Sequence, residues 1–238
     1  MKEDRLYDLI REREQTTSLA LPALMRKVYT WMALALAITG FTAFGVASSP
    51  GIVTAMLTNK LLFWGLLIAE IGLVFYVTAR INRLSLATAT MLFVLYSVLN
   101  GAMLSIIFLV YTLNSITSVF FITAGTFAAM SLIGYFTKTD LSSLGKILFM
   151  ALIGLIIATV VNMFLKSSAF SLIASYIGVL IFVGLTAYDT QKIKKMLVMH
   201  DEVTEESQKI ALIGALSLYL NFINLFLYLL RIFGSNRN

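Results

Sequence analysis

Long apolar runs without formal charge alternate with short polar segments along most of this sequence. About 20 apolar residues are enough for a helix to cross the roughly 30 Å hydrocarbon core of a bilayer. Seven runs reach or approach that length, and they are numbered spans 1 to 7: 28–46, 61–79, 87–108, 119–136, 147–165, 170–188 and 210–230. The pattern therefore predicts an all-α, polytopic membrane protein with seven transmembrane helices.

Polar and turn-forming residues set the limits of the spans. Ser48-Ser49-Pro50-Gly51 is a turn signal after span 1. The charge-free stretch 84–137 is too long for one helix, so a turn is predicted at Asn114-Ser115. Thr204 or Ser207 is the predicted cap of the last helix. The chain then divides into a polar tail (1–20), a transmembrane domain (21–234) and a short C-terminal tail (235–238).

Span 7 differs from the other spans because one of its faces is polar. Spacings of three and four residues place five side chains on that face: Gly214, Ser217, Asn221, Asn224 and Tyr228. Amides are costly against lipid, so the face must turn towards protein or a water-filled cavity. Two interpretations follow. The stripe is either a packing seam of small and amide side chains, or the lining of a polar path with the other helices around it.

Composition and charge fit this class and suggest an orientation. Of the 238 residues, 59% are hydrophobic and 13% charged, and the mean hydropathy is +0.90. Of the 18 Lys and Arg residues, 14 fall on the side of the N-terminal tail, which predicts a cytoplasmic N-terminus and an outside C-terminus. If one span is a re-entrant hairpin, the C-terminus moves inside. The net charge of +6 is assigned to cytoplasmic loops and lipid headgroups rather than to nucleic acid.

Two of the twelve acids lie in or against spans: Glu70 in span 2 and Asp189 at the end of span 6. An acid at membrane depth is a functional-site hypothesis. The alternatives are a hydrogen-bonded packing residue for Glu70 and a headgroup-level residue for Asp189. Arg80 and Arg83 end span 2 on the same side as Asp189, so an ion pair between Asp189 and either arginine is geometrically allowed.

Enzyme signatures are absent from the sequence. One histidine excludes a zinc site of the H-E-x-x-H type, and no G-x-S-x-G, Walker or G-x-G-x-x-G motif occurs. The pair Tyr188-Asp189 resembles intramembrane aspartyl proteases only superficially, because their chemistry needs a second aspartate and no other span contains one. We expect a protein that is not an enzyme and needs no cofactor.

Several motifs together resemble the transmembrane Bax inhibitor family, and most closely its bacterial YccA-like branch. The similarity covers the chain from about Leu24 to Gly234. The motifs are Asn100-Gly101, residues 121–125 (FITAG), the segment from Gly134-Tyr135 to Asp140-Leu141, residues 187–191 (AYDTQ) and residues 217–226 (SLYLNFINLF). The resemblance implies six helices wrapped around a central seventh, in a bacterial cell (inner) membrane.

The resemblance also implies a function, a pH-modulated passive calcium leak. The family's helix 6 aspartate maps onto Asp189, its helix 2 glutamate onto Glu70, and its latch arginine onto Arg80, with Arg83 as a rival. The second sensor aspartate falls on Asn221, which is a departure from the family pattern. Two carboxylates in contact repel each other and one takes up a proton, whereas an Asp–Asn pair lacks that repulsion. We therefore expect a weakened pH response, or one moved to lower pH.

Residues expected along an ion pathway are Glu70, Asn100, Ser217 and Asn224. Glu70 and Asp189 are the candidate calcium ligands, and they are too few for a tight site, because Ca²⁺ takes six to eight oxygens. The expected partners are membrane lipids and calcium as the transported ion. The alternative is a membrane interaction protein that transports nothing, since the resemblance also implies a link to a membrane-anchored AAA protease and to stress responses.

Overall fold

A computed structural model describes the backbone of residues 2–200 and 202–237, and the side chains of residues 20–200 and 202–237. Nine helices occur in these ranges: α1 (Lys2–Ala47), α2 (Pro50–Thr58), α3 (Lys60–Arg80), α4 (Leu86–Leu104), α5 (Ile107–Val110), α6 (Leu113–Phe136), α7 (Ser142–Leu165), α8 (Ser168–Val198) and α9 (Glu205–Phe233). A 3₁₀ turn, Ile81–Arg83, follows α3. Seven segments are long and apolar enough to cross a membrane, and they fall in α1, α3, α4–α5, α6, α7, α8 and α9. The predicted all-α polytopic fold is confirmed.

The helix limits agree with several of the predicted boundaries and differ at others. The predicted turn at Asn114-Ser115 is wrong, because α6 already begins at Leu113, where the Thr112 hydroxyl accepts from the Ser115 backbone N–H. Helix α8 continues to Val198, ten residues beyond the predicted end of span 6. The predicted capping of the last helix is confirmed, since Thr204 and Ser207 form a reciprocal capping box.

Helix α1 runs unbroken from Lys2 to Ala47, through Pro22. Its apolar, membrane-spanning part begins at Ala20. The backbone therefore has no break at the predicted boundary between the tail (1–20) and the transmembrane domain. Met1 lies outside the described residues, and the domain boundary itself stays a prediction.

Helix α9 is the central element of the fold. In its most apolar window, 67% of the residues are buried inside the protein, against 39% or less for each other span. Helices α1, α4, α6 and α8 pack directly on α9, whereas α3 packs on α4, and α7 on α8. The family-based expectation of a central seventh helix is met, with four helices in contact with it and two further out.

Glycines allow close approach at two further helix contacts, between α6 and α8 and between α1 and α4. A Cβ on Gly134 of α6 would collide with the Ala187 backbone of α8, and a Cβ on Gly101 of α4 would collide with Thr39 of α1. In a membrane, where lipid is as apolar as leucine, such close packing is a main source of helix association.

Residues that follow α9 are tied to the segment between α5 and α6. Tyr111 and Asn236 form an isolated antiparallel bridge. The Arg237 N–H donates to the Val110 carbonyl at 2.8 Å, and the Ser235 N–H donates to the Ser115 hydroxyl at 3.0 Å. This pairing holds the end of α9 against the predicted outer loop between spans 3 and 4.

Candidate functional site

Asp189 is bound between α8 and the central helix. The Ser217 hydroxyl donates to Asp189 Oδ2 at 2.9 Å, and Nδ2 of Asn221 donates to the same oxygen at 2.7 Å. Asn221 is 5% exposed. Because α8 continues for nine residues after Asp189, the carboxylate lies about 14 Å from the helix end at 1.5 Å per residue. Asp189 therefore lies within α8 rather than at its end, and its depth in the membrane, with the headgroup-level alternative, stays a prediction.

A cavity of about 920 Å³ opens beside this carboxylate, between α7, α8 and α9. The polar stripe of α9 contributes Ser217, Asn221, Asn224 and Tyr228 to its lining. From Ser217 to Tyr228 the stripe extends about 17 Å along the helix axis, more than half of a bilayer core. Four of the five stripe residues thus face a cavity rather than a dry helix contact.

Gly214 and Asn224 of the stripe have different surroundings. Gly214 is buried, and a Cβ there would press on the Ile193 side chain of α8. Asn224 donates from Nδ2 to the Leu220 carbonyl of its own helix at 2.8 Å. Gly214 therefore fits the packing interpretation of the stripe, whereas the positions from Ser217 onward line a cavity, and a polar path through that cavity stays a prediction.

Lysines and tyrosines complete the cavity lining. Lys146 of α7 and Lys192 of α8 both line the cavity, and both are exposed. The Lys192 ammonium lies 6.0 Å from the centre of the Tyr188 ring, and that ring packs where a Cβ of Gly145 would be. The cavity therefore combines one carboxylate and several neutral oxygens with two ammonium groups.

Glu70 belongs to a second polar cluster, which joins four spans. Nδ2 of Asn100 on α4 donates to Glu70 Oε1 on α3. The Tyr219 hydroxyl of α9 donates to Oδ1 of Asn100 at 3.0 Å. The Thr39 hydroxyl of α1 lies 2.7 Å from the Tyr219 hydroxyl and donates to the Ser97 carbonyl. Glu70 is therefore hydrogen-bonded between helices, as one of the two interpretations of this residue required. Its part in an ion pathway stays a prediction.

The two acids lie on opposite sides of α9. Tyr219 is two residues from Ser217 and two from Asn221, a rotation of about 200° at 3.6 residues per turn. Tyr219 therefore points towards α1 and α4, whereas Ser217 and Asn221 point towards α8. Within the described residues, no group of three or more His, Cys, Asp or Glu side chains is arranged to hold a metal ion. The weak calcium contacts predicted for Glu70 and Asp189 would thus belong to separate clusters.

Neither candidate latch arginine contacts Asp189. Arg80 ends α3, Arg83 ends the following 3₁₀ turn, and both side chains are exposed. That turn packs on α9, whereas α3 packs chiefly on α4. The hydrogen bonds to the Asp189 carboxylate come from Ser217 and Asn221. The latch remains a prediction that this conformation does not display.

Gln191 is a buried residue of α8 that the sequence analysis did not single out for a function. Its Nε2 donates to the Thr139 carbonyl at 2.8 Å, and its Oε1 accepts from the Leu141 N–H at 2.9 Å. These bonds fasten the loop between α6 and α7 to α8, two residues after Asp189. A buried amide with two partners on one loop is a positioning device, and its place in the motif 187–191 was the available signal.

The same loop carries an exposed ion pair. The Lys195 ammonium donates to Asp140 Oδ1 at 2.6 Å. The hydrogen bond from Lys195, followed by those from Ser142, lowers the pKa of Asp140 to about 2. Asp140 therefore stays ionised throughout the physiological range.

Comparison with known proteins places this chain in one family. The family described as "Inhibitor of apoptosis-promoting Bax1" matches residues 21–238. The inner membrane protein YbhL of Escherichia coli is 52% identical over 90% of this chain and 92% of its own length. An uncharacterized protein of Borreliella burgdorferi is 43% identical over 98% of this chain and all of its own length, and protein RP147 of Rickettsia prowazekii is 46% identical over 90% of each chain. The chain is therefore a multi-pass membrane protein that belongs to the Bax inhibitor family.

Proposed function

We propose that this protein is a passive cation leak, with calcium as the preferred ion, and that the cavity beside Asp189 forms the part of the pathway nearest the cytoplasm. The observation that carries the proposal is the Asp189 carboxylate, held by Ser217 and Asn221 of the central helix at the wall of a cavity of about 920 Å³. An ionisable group inside a membrane span is costly and typically marks an ion path.

The ligand chemistry fits a site that ions pass through rather than one that stores them. Tight calcium sites supply six to eight oxygens, several of them charged. Here one carboxylate is accompanied by hydroxyl and amide oxygens, and two lysines line the same cavity. Conduction needs binding weak enough for the ion to leave, so a single carboxylate is sufficient for this function.

The pH response follows from the neutral partner of Asp189. A second carboxylate at position 221 would repel Asp189, so that one proton is shared near neutral pH. Asn221 removes that repulsion, and its amide bonds either protonation state of the aspartate. We therefore expect only a shallow change of flux between pH 6 and 8. Arg80 or Arg83 would act as a latch in a second conformation, with the arrangement described above as the unlatched state.

Calcium flux into proteoliposomes tests the proposal. Asp189→Asn should lower the flux by about tenfold, which corresponds to a barrier about 1.4 kcal/mol higher. Asp140→Asn is the matched control, because it makes the same change at an exposed loop position. The control should conduct like the unaltered protein.

Two outcomes would contradict the leak. Flux that is equal in Asp189→Asn and Asp140→Asn would remove Asp189 from the pathway. Absence of flux in every variant would favour the interaction protein, whose docking element would be the polar tail (1–20). In that case, deletion of the tail after Met1 should abolish the effect of the protein on the membrane-anchored AAA protease, while Glu70→Gln should leave that effect unchanged.

A further inference from the structure

A second cavity, of about 660 Å³, lies between α1 and α6 and is separate from the Asp189 cavity. Helix α1 packs mainly on α4 and α9, and α6 packs on α8 and α9. The two helices therefore leave a cleft between them, and Phe222 of α9 contributes to its lining. Ala128 and Leu132 of α6 line the cleft and are exposed. At membrane depth, a cleft with exposed walls opens towards lipid.

The walls of the cleft are almost entirely apolar. Met25 and Met32 lie on the α1 side, and methionine adapts its flexible side chain to irregular partners. On the α6 side, Ala124 and Ala128 are one helical turn apart, and their small side chains leave room between two large rings, Phe120 and Phe127. A flexible hydrocarbon chain matches such a surface, because it can follow the groove with no polar group to satisfy.

One end of the cleft is positively charged. Arg26 lines it and has an exposed side chain. Tyr135, one residue from the end of α6, lines the same end, and the Lys194 ammonium lies 4.6 Å from the centre of its ring. Basic pockets between spanning helices on the cytoplasmic side are typical binding sites for anionic lipid headgroups.

The cleft is long enough to span one leaflet of a bilayer. Its lining extends about 21 Å from Pro22 to Leu36 on α1, and about 24 Å from Phe136 back to Phe120 on α6, at 1.5 Å per residue. The part from Arg26 to Leu36 measures about 15 Å. Half of a hydrocarbon core of roughly 30 Å is about 15 Å. A chain that enters at headgroup level beside Arg26 would therefore end near the middle of the membrane.

We propose that the α1–α6 cleft is a binding site for an anionic glycerophospholipid, with the phosphate on Arg26 and one acyl chain along Ala124 and Ala128 down to Leu36. The lipid fills the gap that the two helices leave in the wall of the bundle, and its chain rests on Phe222 of the central helix. This site is independent of the proposed ion leak.

Native mass spectrometry of the purified protein tests the site. The protein is released from micelles that contain dioleoyl phosphatidylglycerol or dioleoyl phosphatidylcholine, which share their chains and differ in headgroup charge. We expect one retained phosphatidylglycerol and about fivefold weaker retention of phosphatidylcholine, the effect of one basic residue near the membrane surface. Arg26→Gln should remove the preference. Lys138→Gln, which removes a charge from an exposed position outside the cleft, should keep it.

A second pair of variants tests where the acyl chain of the lipid lies. Ala128→Phe should fill the cleft and release both lipids, whereas Ala129→Phe, its exposed neighbour outside the cleft, should retain them. If Ala128→Phe fails to fold, as judged by gel filtration and circular dichroism, Arg26→Gln decides alone. Equal retention of the two lipids by the unaltered protein, or equal behaviour of the two phenylalanine variants, would overturn the proposal.

Discussion

At the scale of single residues, the contact between the Asn221 amide and the Asp189 carboxylate has the most direct consequence for the pH dependence of the proposed calcium flux. Replacing Asn221 by aspartate restores two carboxylates in contact, which repel and bind a proton more readily. We expect Asn221→Asp to steepen the pH dependence of calcium flux between pH 6 and 8. Flux in proteoliposomes at intervals of half a pH unit measures this.

Asn114→Asp serves as the control for that change. Asn114 is exposed in the first turn of α6, so the same substitution there adds an acid outside the Asp189 cavity and on a different helix from the candidate latch arginines. Its flux profile should follow that of the unaltered protein. A profile as shallow in Asn221→Asp as in Asn114→Asp would contradict the proposed role of position 221.

The exposed Asp140–Lys195 pair gives a prediction for stability against pH. The pKa of Asp140 is lowered to about 2 from its ordinary value of 3.8, with the hydrogen bond from Lys195 as the main cause. A depressed pKa in the folded state stabilises the fold above the unfolded pKa, and this contribution is lost as the pH falls towards 2. The difference in melting temperature between the unaltered protein and Asp140→Asn should therefore be small and constant from pH 5 to 8, and shrink below about pH 4.

Scanning calorimetry in detergent at each pH measures that difference. Because Asp140 stays ionised from pH 6 to 8, Asp140→Asn should also leave the pH profile of flux unchanged. A melting-temperature difference that varies between pH 6 and 8 would contradict this prediction, because it would require a second group that titrates in that range and interacts with the Asp140–Lys195 pair.

At the scale of helices, Gly134 of α6 fixes the contact with α8. An added Cβ would collide with the Ala187 backbone, which cannot move without shifting α8. We expect Gly134→Ala to destabilise the protein by about 1–3 kcal/mol, the usual cost of overpacking. Unfolding in mixed micelles measures this change.

Gly125→Ala is its matched control on the same helix, because a Cβ there meets nothing within 4 Å. The control should be neutral or slightly stabilising, since alanine favours helix more than glycine does. An equal loss of stability in the two variants would show that close packing at Gly134 does not cause the destabilisation.

The four-helix polar cluster predicts a second effect at this scale. Tyr219 bonds both Thr39 and Asn100 and packs edge-to-face against Phe93 and Tyr96, with ring centres 5.9 and 5.8 Å away. Tyr219→Phe keeps the ring but removes the hydroxyl, so we expect a loss of about 1 kcal/mol, as for interhelical hydrogen bonds in membranes. Tyr176→Phe, at an exposed position, should cost nothing measurable by the same unfolding assay.

The helices and the Asp189 site could be predicted from the sequence, whereas most of this polar cluster could not. The period of the α9 stripe marked Ser217 and Asn221 as neighbours, because amides in an apolar run must find partners. Tyr219 and Thr39 gave no such signal, because Tyr219 lies off the stripe and a threonine hydroxyl can bond a carbonyl of its own helix. Their contact depends on how α1 docks on α9, which is a property of tertiary packing. The extension of α8 to Val198 was also hidden, because Gln191, Lys192 and Lys194 read as a polar loop.

At the scale of the whole molecule, the distribution of basic residues predicts the orientation in the membrane. The chain has no cysteine, so a single introduced cysteine reports its own location. A membrane-impermeant maleimide on intact spheroplasts should label Thr58→Cys, at the predicted outside end of α2, and not Lys138→Cys, in the predicted cytoplasmic loop. Both positions are exposed. The reverse labelling pattern would invert the proposed topology and place the Asp189 cavity at the outer surface.

The central position of α9 also has a consequence for how the protein is made. Ribosomes deliver a chain from its N-terminus, so six spans enter the membrane before the helix that fills their centre. Until then, the carboxylate of α8 and the amide of α4 lack their hydroxyl and amide partners on α9. Nascent chains arrested before α9 should therefore be loose bundles, recognised by membrane quality control, and insertion of the last helix becomes the step that commits the protein to its folded state.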